Sequence, residues 1–340
     1  MKKLWEWKYP GRLFQAMVSE DHVLHGDELF FVHMTNGNYP NAGVYCVDVA
    51  TGEGRTVVEL HDFLRNVGAS DGQAFYFTSL RGNAYCVTGD GAIRWTRQLG
   101  EASGSACWDV ALDNGRLYMA QDALYCLDPA TGNTIWAGEE RDAKNRINAL
   151  LVEETHAYCA RQGHSLACVD KADGKTVWTY DPKTWWRNVI SFDEHTLLCT
   201  DTHGRLLFID KSDGHLIQRV ATEGKLMKRP VLCEGNVLVG ESLEDSKGQL
   251  TCYAAGSSYT LKPLFKVPVT GAVTAEPVAC GNRLFFGTED GSLYCVQADT
   301  GSELEKKRKV KGACRGIVPR GDTIIALSDK GPVTAFSTGM

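Results

Sequence analysis

Short, β-prone apolar segments punctuate this chain at a nearly constant interval. Eight align: Val44–Asp48, Ala84–Thr88, Leu124–Asp128, Leu166–Asp170, Leu206–Asp210, Leu250–Ala254, Leu293–Gln297 and Val333–Ser337. Their starts are spaced by 40, 40, 42, 40, 44, 43 and 40 residues. Such brief apolar runs fit partly buried strands. Another strand precedes each, as at Gln73–Thr78, Arg116–Ala120, Thr196–Thr200 and Arg283–Thr288, with a polar turn between. Downstream comes an Asp-x-x-Thr/Asp-Gly turn, at Asp48–Gly52, Asp128–Gly132, Asp170–Gly174 and Asp210–Gly214. There the Asp caps the turn's own amides and Gly supplies positive φ. A final strand follows, often bearing a tryptophan: Trp95, Trp136 and Trp178.

Four strands per repeat of about 40 residues, with no helical period between them, describe the blade of a β-propeller. The expected fold is all-β: a single eight-bladed propeller of four-stranded blades filling residues 1–340. Its blades fall near 11–60, 63–100, 104–140, 146–181, 186–221, 228–269, 272–311 and 314–340. The eighth repeat stops after its turn glycine, Gly339, and lacks a tryptophan-bearing strand. That strand stands at the other end of the chain, in Lys2–Lys8 around Trp5. Residues 1–9 are therefore expected to complete the last blade and remove its open edge.

The apolar strand, Asp-x-x-Thr-Gly turn and tryptophan strand resemble the PQQ-type (quinoprotein-like) propeller repeat across essentially the whole chain. Two repeats depart from the pattern: Ile217 occupies the tryptophan place in blade five, and Ala254–Ser258 replaces the turn in blade six. The resemblance raises a quinone-dependent dehydrogenase, but the adjacent Cys-Cys pair that such enzymes place beside the cofactor is missing. It also raises the non-catalytic branch of the family, in which an eight-bladed ring serves as a protein-docking scaffold. Gly-x-Ser-x-Gly, P-loop and dinucleotide-binding motifs are absent from the sequence. The expectation is a non-enzymatic protein that needs no cofactor and no metal.

Charge and cysteine usage narrow the partners. Lys plus Arg number 36 against 42 Asp plus Glu, a formal charge of −6, which argues against nucleic-acid binding. No run reaches the roughly 18 apolar residues of a membrane span. The start, Met1–Pro10, has a basic flank without an apolar core behind it, so a cytoplasmic location is expected. None of the 12 cysteines forms a Cys-x-x-Cys pair. Cys46, Cys86, Cys126, Cys168, Cys252 and Cys295 share one repeat position that Phe208 and Ala335 fill elsewhere, which marks it as apolar packing. His22 and His25 are the only close histidine pair and read as coincidence. Glycine, at 35 of 340, exceeds the usual share of roughly 7% because of the repeated turns.

Irregularity collects in two loop classes: the second-to-third-strand turns and the blade-to-blade connections. Antiparallel order puts both on one face of the ring. The residues expected to dock a partner there are Tyr39 and Asn41 in blade one and Arg141, Lys144 and Arg146 in the charged 139–146 connection. Trp185, Trp186 and Arg187 follow in the 181–187 connection, then Glu244 and Asp245 in the 241–248 turn. Of the paired tryptophans, Trp185 is expected to pack and Trp186 to be exposed. The basic run Lys306–Lys309 reads as a solvated edge. A protein partner is expected, either a basic toxin blocked by an immunity protein or an assembly component. Two alternatives stand beside this: a quinone- or sugar-binding site at the central channel, and a structural subunit of a larger assembly.

Overall fold

A computed structural model describes residues 1–9, 18–36, 40–62, 64, 68–100, 109–139, 146–162, 165–226, 228–330 and 332–339. Eight antiparallel sheets follow one another along the chain. Blade one contains Val18–His25, Glu28–Asn36, Pro40–Asp48 and Gly54–Leu60, and blades two to seven repeat that order. The eighth sheet takes Cys314–Arg320, Thr323–Ser328 and Val333–Ser337, then pairs the last of these with Lys2–Trp7. The ring therefore closes through its N-terminal strand, with Trp5 opposite Ala335 and Trp7 opposite Val333.

The register explains the repeated cysteine. Cys86, Cys126 and Cys168 lie directly across from Trp95, Trp136 and Trp178. Every thiol at this position is buried, and the described cysteines are all free. Burial is the largest cause that pushes the thiol pKa up, to about 12 for Cys46 and Cys168 and about 11 for Cys252. These thiols remain protonated and act as small apolar fillers.

Four of the blade-to-blade seams are made by a tryptophan at this position. The indole Nε1 of Trp5 donates to the Val49 carbonyl (3.1 Å), Trp95 to Pro129 (2.9 Å), Trp136 to Lys171 (3.0 Å) and Trp178 to Lys211 (2.9 Å). Each acceptor follows the turn Asp of the next blade. The same rings press on the turn glycines, so a Cβ at Gly52, Gly132, Gly174 or Gly214 would fall under 3 Å from a ring carbon. Glycine is thus needed twice, for φ near +70 to +80° and for the approach of the neighbouring blade's ring.

Other seams use substitutes. Arg55, across from Cys46, donates to the Gly89 carbonyl in blade two (2.9 Å), the acceptor a tryptophan would have used. Phe265, across from Cys252, presses on Gly301 of blade seven. Glu305, across from Cys295, accepts from Arg283 (2.7 Å), which also reaches the Thr338 carbonyl of blade eight (2.9 Å). In blade five the pairing puts Gln218, rather than the expected Ile217, opposite Phe208, because the strand bulges there. Blade six offers no turn to receive a ring; its Tyr259 instead reaches back, lying against Phe192 and Phe208 and accepting from Thr196 Oγ1 (2.7 Å).

Candidate functional site

The two irregular loop classes share one face, here the connection face, and the structure sorts the expected docking residues sharply. Trp185 is 52% exposed, the only aromatic among the exposed large hydrophobic residues described. Trp186 is fully buried, its ring 6.1 Å from that of Tyr180, and its carbonyl accepts from Asn148 (2.8 Å). The expected roles of the pair are therefore reversed. Trp186 opens the first strand of blade five, Trp186–Ser191, and alternation turns it into the core, whereas Trp185 lies one residue ahead of that strand.

The loop carrying Trp185 is held on both sides. Asp201, fully buried, accepts from Thr184 Oγ1 (3.0 Å), from the His203 amide (2.9 Å), and from the Arg205 amide (3.1 Å) and Nε (2.5 Å). The Trp185 carbonyl accepts from the Thr202 amide (2.9 Å). Arg187 is exposed beside it. A large indole is thus held in water by locked neighbours, which limits the entropy lost when a partner covers it.

Arg146 does not belong to this surface. It is 1% exposed, with Nη1 donating to Gln121 Oε1 of blade three (3.2 Å). Its place at the root of the connection, immediately before Ile147–Val152, buries it between blades. Tyr39, Arg141 and Lys144 lie outside the described residues, and Asn41 is placed only by register, opposite Thr35.

The 241–248 segment is a tight hairpin rather than a lengthened loop. Asn236–Ser242 and Lys247–Ala255 pair almost to the tip, where Asp245 and Ser246 take φ of +56° and +55°. Glu244 and Asp245 are exposed at that tip. Glu241 is fully buried and satisfied, accepting from the Glu223 and Gly224 amides, Gln249 and Thr251.

A feature that periodicity alone does not announce lies in the channel. The first strand of blade six is broken into Lys225–Leu226 and Val231–Cys233, with Lys228, Arg229 and Pro230 in the interval. Proline has no amide hydrogen for a ladder, consistent with the interruption. From it Arg229 Nη2 reaches Asp109 of blade three (2.9 Å), with Glu276 of blade seven 3.9 Å from its Nε. Blades three and six are not neighbours, so this contact spans the ring interior. Asp109 also accepts from the Leu150 amide (2.6 Å). The sequence signal was a Lys-Arg-Pro triplet inside an otherwise apolar strand position.

With the blades, seams and faces placed, likeness to known proteins can be read. The family model described as outer membrane protein assembly factor BamB matches residues 40–158, 81–185 and 162–258, together well over half the chain. The chain belongs to the BamB family. No curated protein matches the sequence. Among solved structures, BamB from Moraxella catarrhalis is similar at TM-score 0.70 and 16% identity, covering 99% of each chain. Saccharomyces cerevisiae Sqt1 reaches TM-score 0.74 at 12% identity, covering 99% of this chain and 98% of that one. Quinohemoprotein alcohol dehydrogenase from Comamonas testosteroni reaches 0.75 at 11% identity, covering 99% and 76%. At such identities the likeness is one of fold, and it spans a family-named assembly factor and an oxidoreductase alike.

This BamB-family ring also carries a charged groove on the face opposite the connections. The face of the Asp-x-x-x-Gly turns holds a groove of about 740 Å³ between blades four and five, lined by Glu153, Glu154, Asp193, Glu194 and Asp210. Lys211 bridges it, donating to Glu153 (2.7 Å) and to Ser191 Oγ (2.7 Å).

Proposed function

We propose that this BamB-family chain is a non-enzymatic docking ring that seats a partner protein on its connection face. Trp185 is the apolar anchor, and Arg187, Glu244 and Asp245 supply polar contacts around it. The observation that carries the reading is Trp185 itself, half exposed on a loop held by the buried Asp201. Tryptophan and arginine dominate interface energetics where a rigid pocket can cover them. The family's description as an assembly factor supports a role exercised through protein contacts.

An immunity protein that captures a toxin is one specific form of this reading. The net charge of −6 favours a basic partner by electrostatic steering. The free, buried thiols support a reducing compartment such as the cytoplasm.

The test is capture from native lysate with wild-type protein and with a Trp185→Ala/Arg187→Ala variant, leaving the buried Trp186 intact. A single stoichiometric protein held by wild type and lost by the variant, with unchanged melting temperature, is the expected result. A bound chromophore in the purified protein, with no partner captured, would overturn the reading.

A further inference from the structure

The seam between blades seven and eight lacks a tryptophan. Glu305 stands at that register position, engaged with Arg283 and the N-terminal amine. Beside this seam, along the closing strand and towards the connection face, lies a groove of about 500 Å³. Lys3, Lys8, Lys309, Lys311 and Lys330 line it, with Glu6 the only acidic lining residue among those described.

Two of these lysines are already engaged. Lys3 pairs with Glu6 (3.1 Å), and Lys309 with Asp290 (2.6 Å). Lys8, Lys311 and Lys330 are exposed and meet no carboxylate among the described residues. They come from three separate segments: the end of the closing strand, the connection out of blade seven, and the second-to-third-strand turn of blade eight. Val310 and Pro332 add apolar lining between them. Concentrating unpaired positive charge in one concave site runs against the protein's net charge of −6.

We propose that this groove binds an acidic, extended segment of a partner protein, with Lys8, Lys311 and Lys330 meeting its carboxylates. A cleft between two blades admits a single extended chain, whereas a nucleic-acid duplex or a flat bilayer needs a broad basic surface. The lysine ammonium is a mobile point charge that suits successive carboxylates of an extended chain, without the fixed fork geometry of arginine. Apolar lining gives the backbone of such a segment a dry contact. This inference stands on residues other than Trp185 and holds whether or not that anchor is used.

The probe is a fluorescein-labelled oligoglutamate peptide, with binding read by anisotropy at about 0.1 M salt, where the Debye length is about 10 Å. The groove variant is Lys8→Glu/Lys311→Glu/Lys330→Glu, and Lys183→Glu/Lys225→Glu/Lys262→Glu is the control with the same change in net charge. The groove variant should lose affinity by about tenfold or more and the control by less than about threefold, since charges beyond a Debye length are screened. Trp185→Ala should leave peptide binding unchanged. As a readout on the unaltered protein, the peptide should protect Lys8, Lys311 and Lys330 from acetylation, scored by mass spectrometry. Equal loss in both triple variants would reduce the groove to a diffuse field and overturn the proposal. So would protection of these lysines by vesicles of equal parts phosphatidylserine and phosphatidylcholine but not by the peptide.

Discussion

Gly174→Ala tests whether the tryptophan seams hold the ring together. Gly174 has φ +79°, and an added Cβ would lie 2.5 Å from Cε3 of Trp136 in the preceding blade. Two costs follow. Left-handed backbone costs a residue with a Cβ about 1–2 kcal/mol. Displacing the ring adds about 1–3 kcal/mol of overpacking, plus about 1 kcal/mol if the Trp136 bond to the Lys171 carbonyl breaks. Gly115 is the matched control, with φ +70° and nothing within 4 Å of its would-be Cβ. Gly115→Ala carries only the backbone cost, so Gly174→Ala should be worse by about 2–4 kcal/mol. With a urea dependence of roughly 1–3 kcal/mol per molar, its unfolding midpoint should fall by about 1 M more than the control's. Unfolding is followed by tryptophan fluorescence, and midpoints are compared because a repeat array need not unfold in one step. A Trp136→Ala/Gly174→Ala double variant should show strong coupling, since removing the ring removes the clash. Equal losses for Gly174→Ala and Gly115→Ala, with no coupling to Trp136, would refute the seam mechanism.

Trp186→Ala should cost about 3–5 kcal/mol and Trp185→Ala less than about 0.5, read by thermal denaturation; the opposite order would contradict their burial. Cys46, Cys168 and Cys252, with thiols pushed to about 12, 12 and 11, should resist iodoacetamide at pH 8 in the folded protein and react fully in guanidinium, as scored by mass spectrometry. Burial works to raise the Asp290 carboxyl, but bonds from Lys309, Thr288 and Ser292 outweigh it and hold the group well below its ordinary value. A depressed folded value gives stability that is complete above the unfolded value, near pH 4, and is lost as pH falls through the folded one, so Asp290→Asn should shrink the drop in melting temperature between pH 7 and pH 3. Tyr259→Phe should cost about 1–3 kcal/mol in denaturant titration, because it strips the buried Thr196 hydroxyl of its 2.7 Å partner.

The architecture was legible because a propeller writes the same instructions eight times. The third strand, its turn and the following tryptophan fix blade identity, and the missing strand of the last repeat fixes closure. What was not legible depends on which way a side chain turns at an element boundary. Trp185 and Trp186 are identical in type and adjacent, and a one-residue difference in where the strand begins decides which faces solvent. Arg146 looked like part of a charged loop, yet it sits one residue before a strand and is drawn into the gap between blades. The channel-spanning Arg229 depends on a contact between blades three and six, 120 residues apart, which no repeat-based reading contains.

The departures from the repeat follow one rule. Because each ring belongs to one blade and its receiving turn to the next, losing a tryptophan and losing the following turn are two sides of a single seam. Gln218 in blade five and the altered turn at Ala254–Ser258 in blade six are therefore one event, compensated by Tyr259 reaching the opposite way. Glu305 is a second case: it anchors Arg283 of its own blade, whose bond to the Thr338 carbonyl replaces a ring between blades seven and eight. Nearest-neighbour packing lets individual seams change without loss of the ring. A ring carbon pressed against a turn glycine seals its seam, whereas a guanidinium-to-carbonyl bond fixes only one point of contact. Along the seam between blades seven and eight, one of those that lost the ring, the lysine groove opens. Degeneracy in the repeat thereby marks where a uniform scaffold acquires an individual binding surface, a relation that reversing the charge of Lys8, Lys311 and Lys330 tests directly.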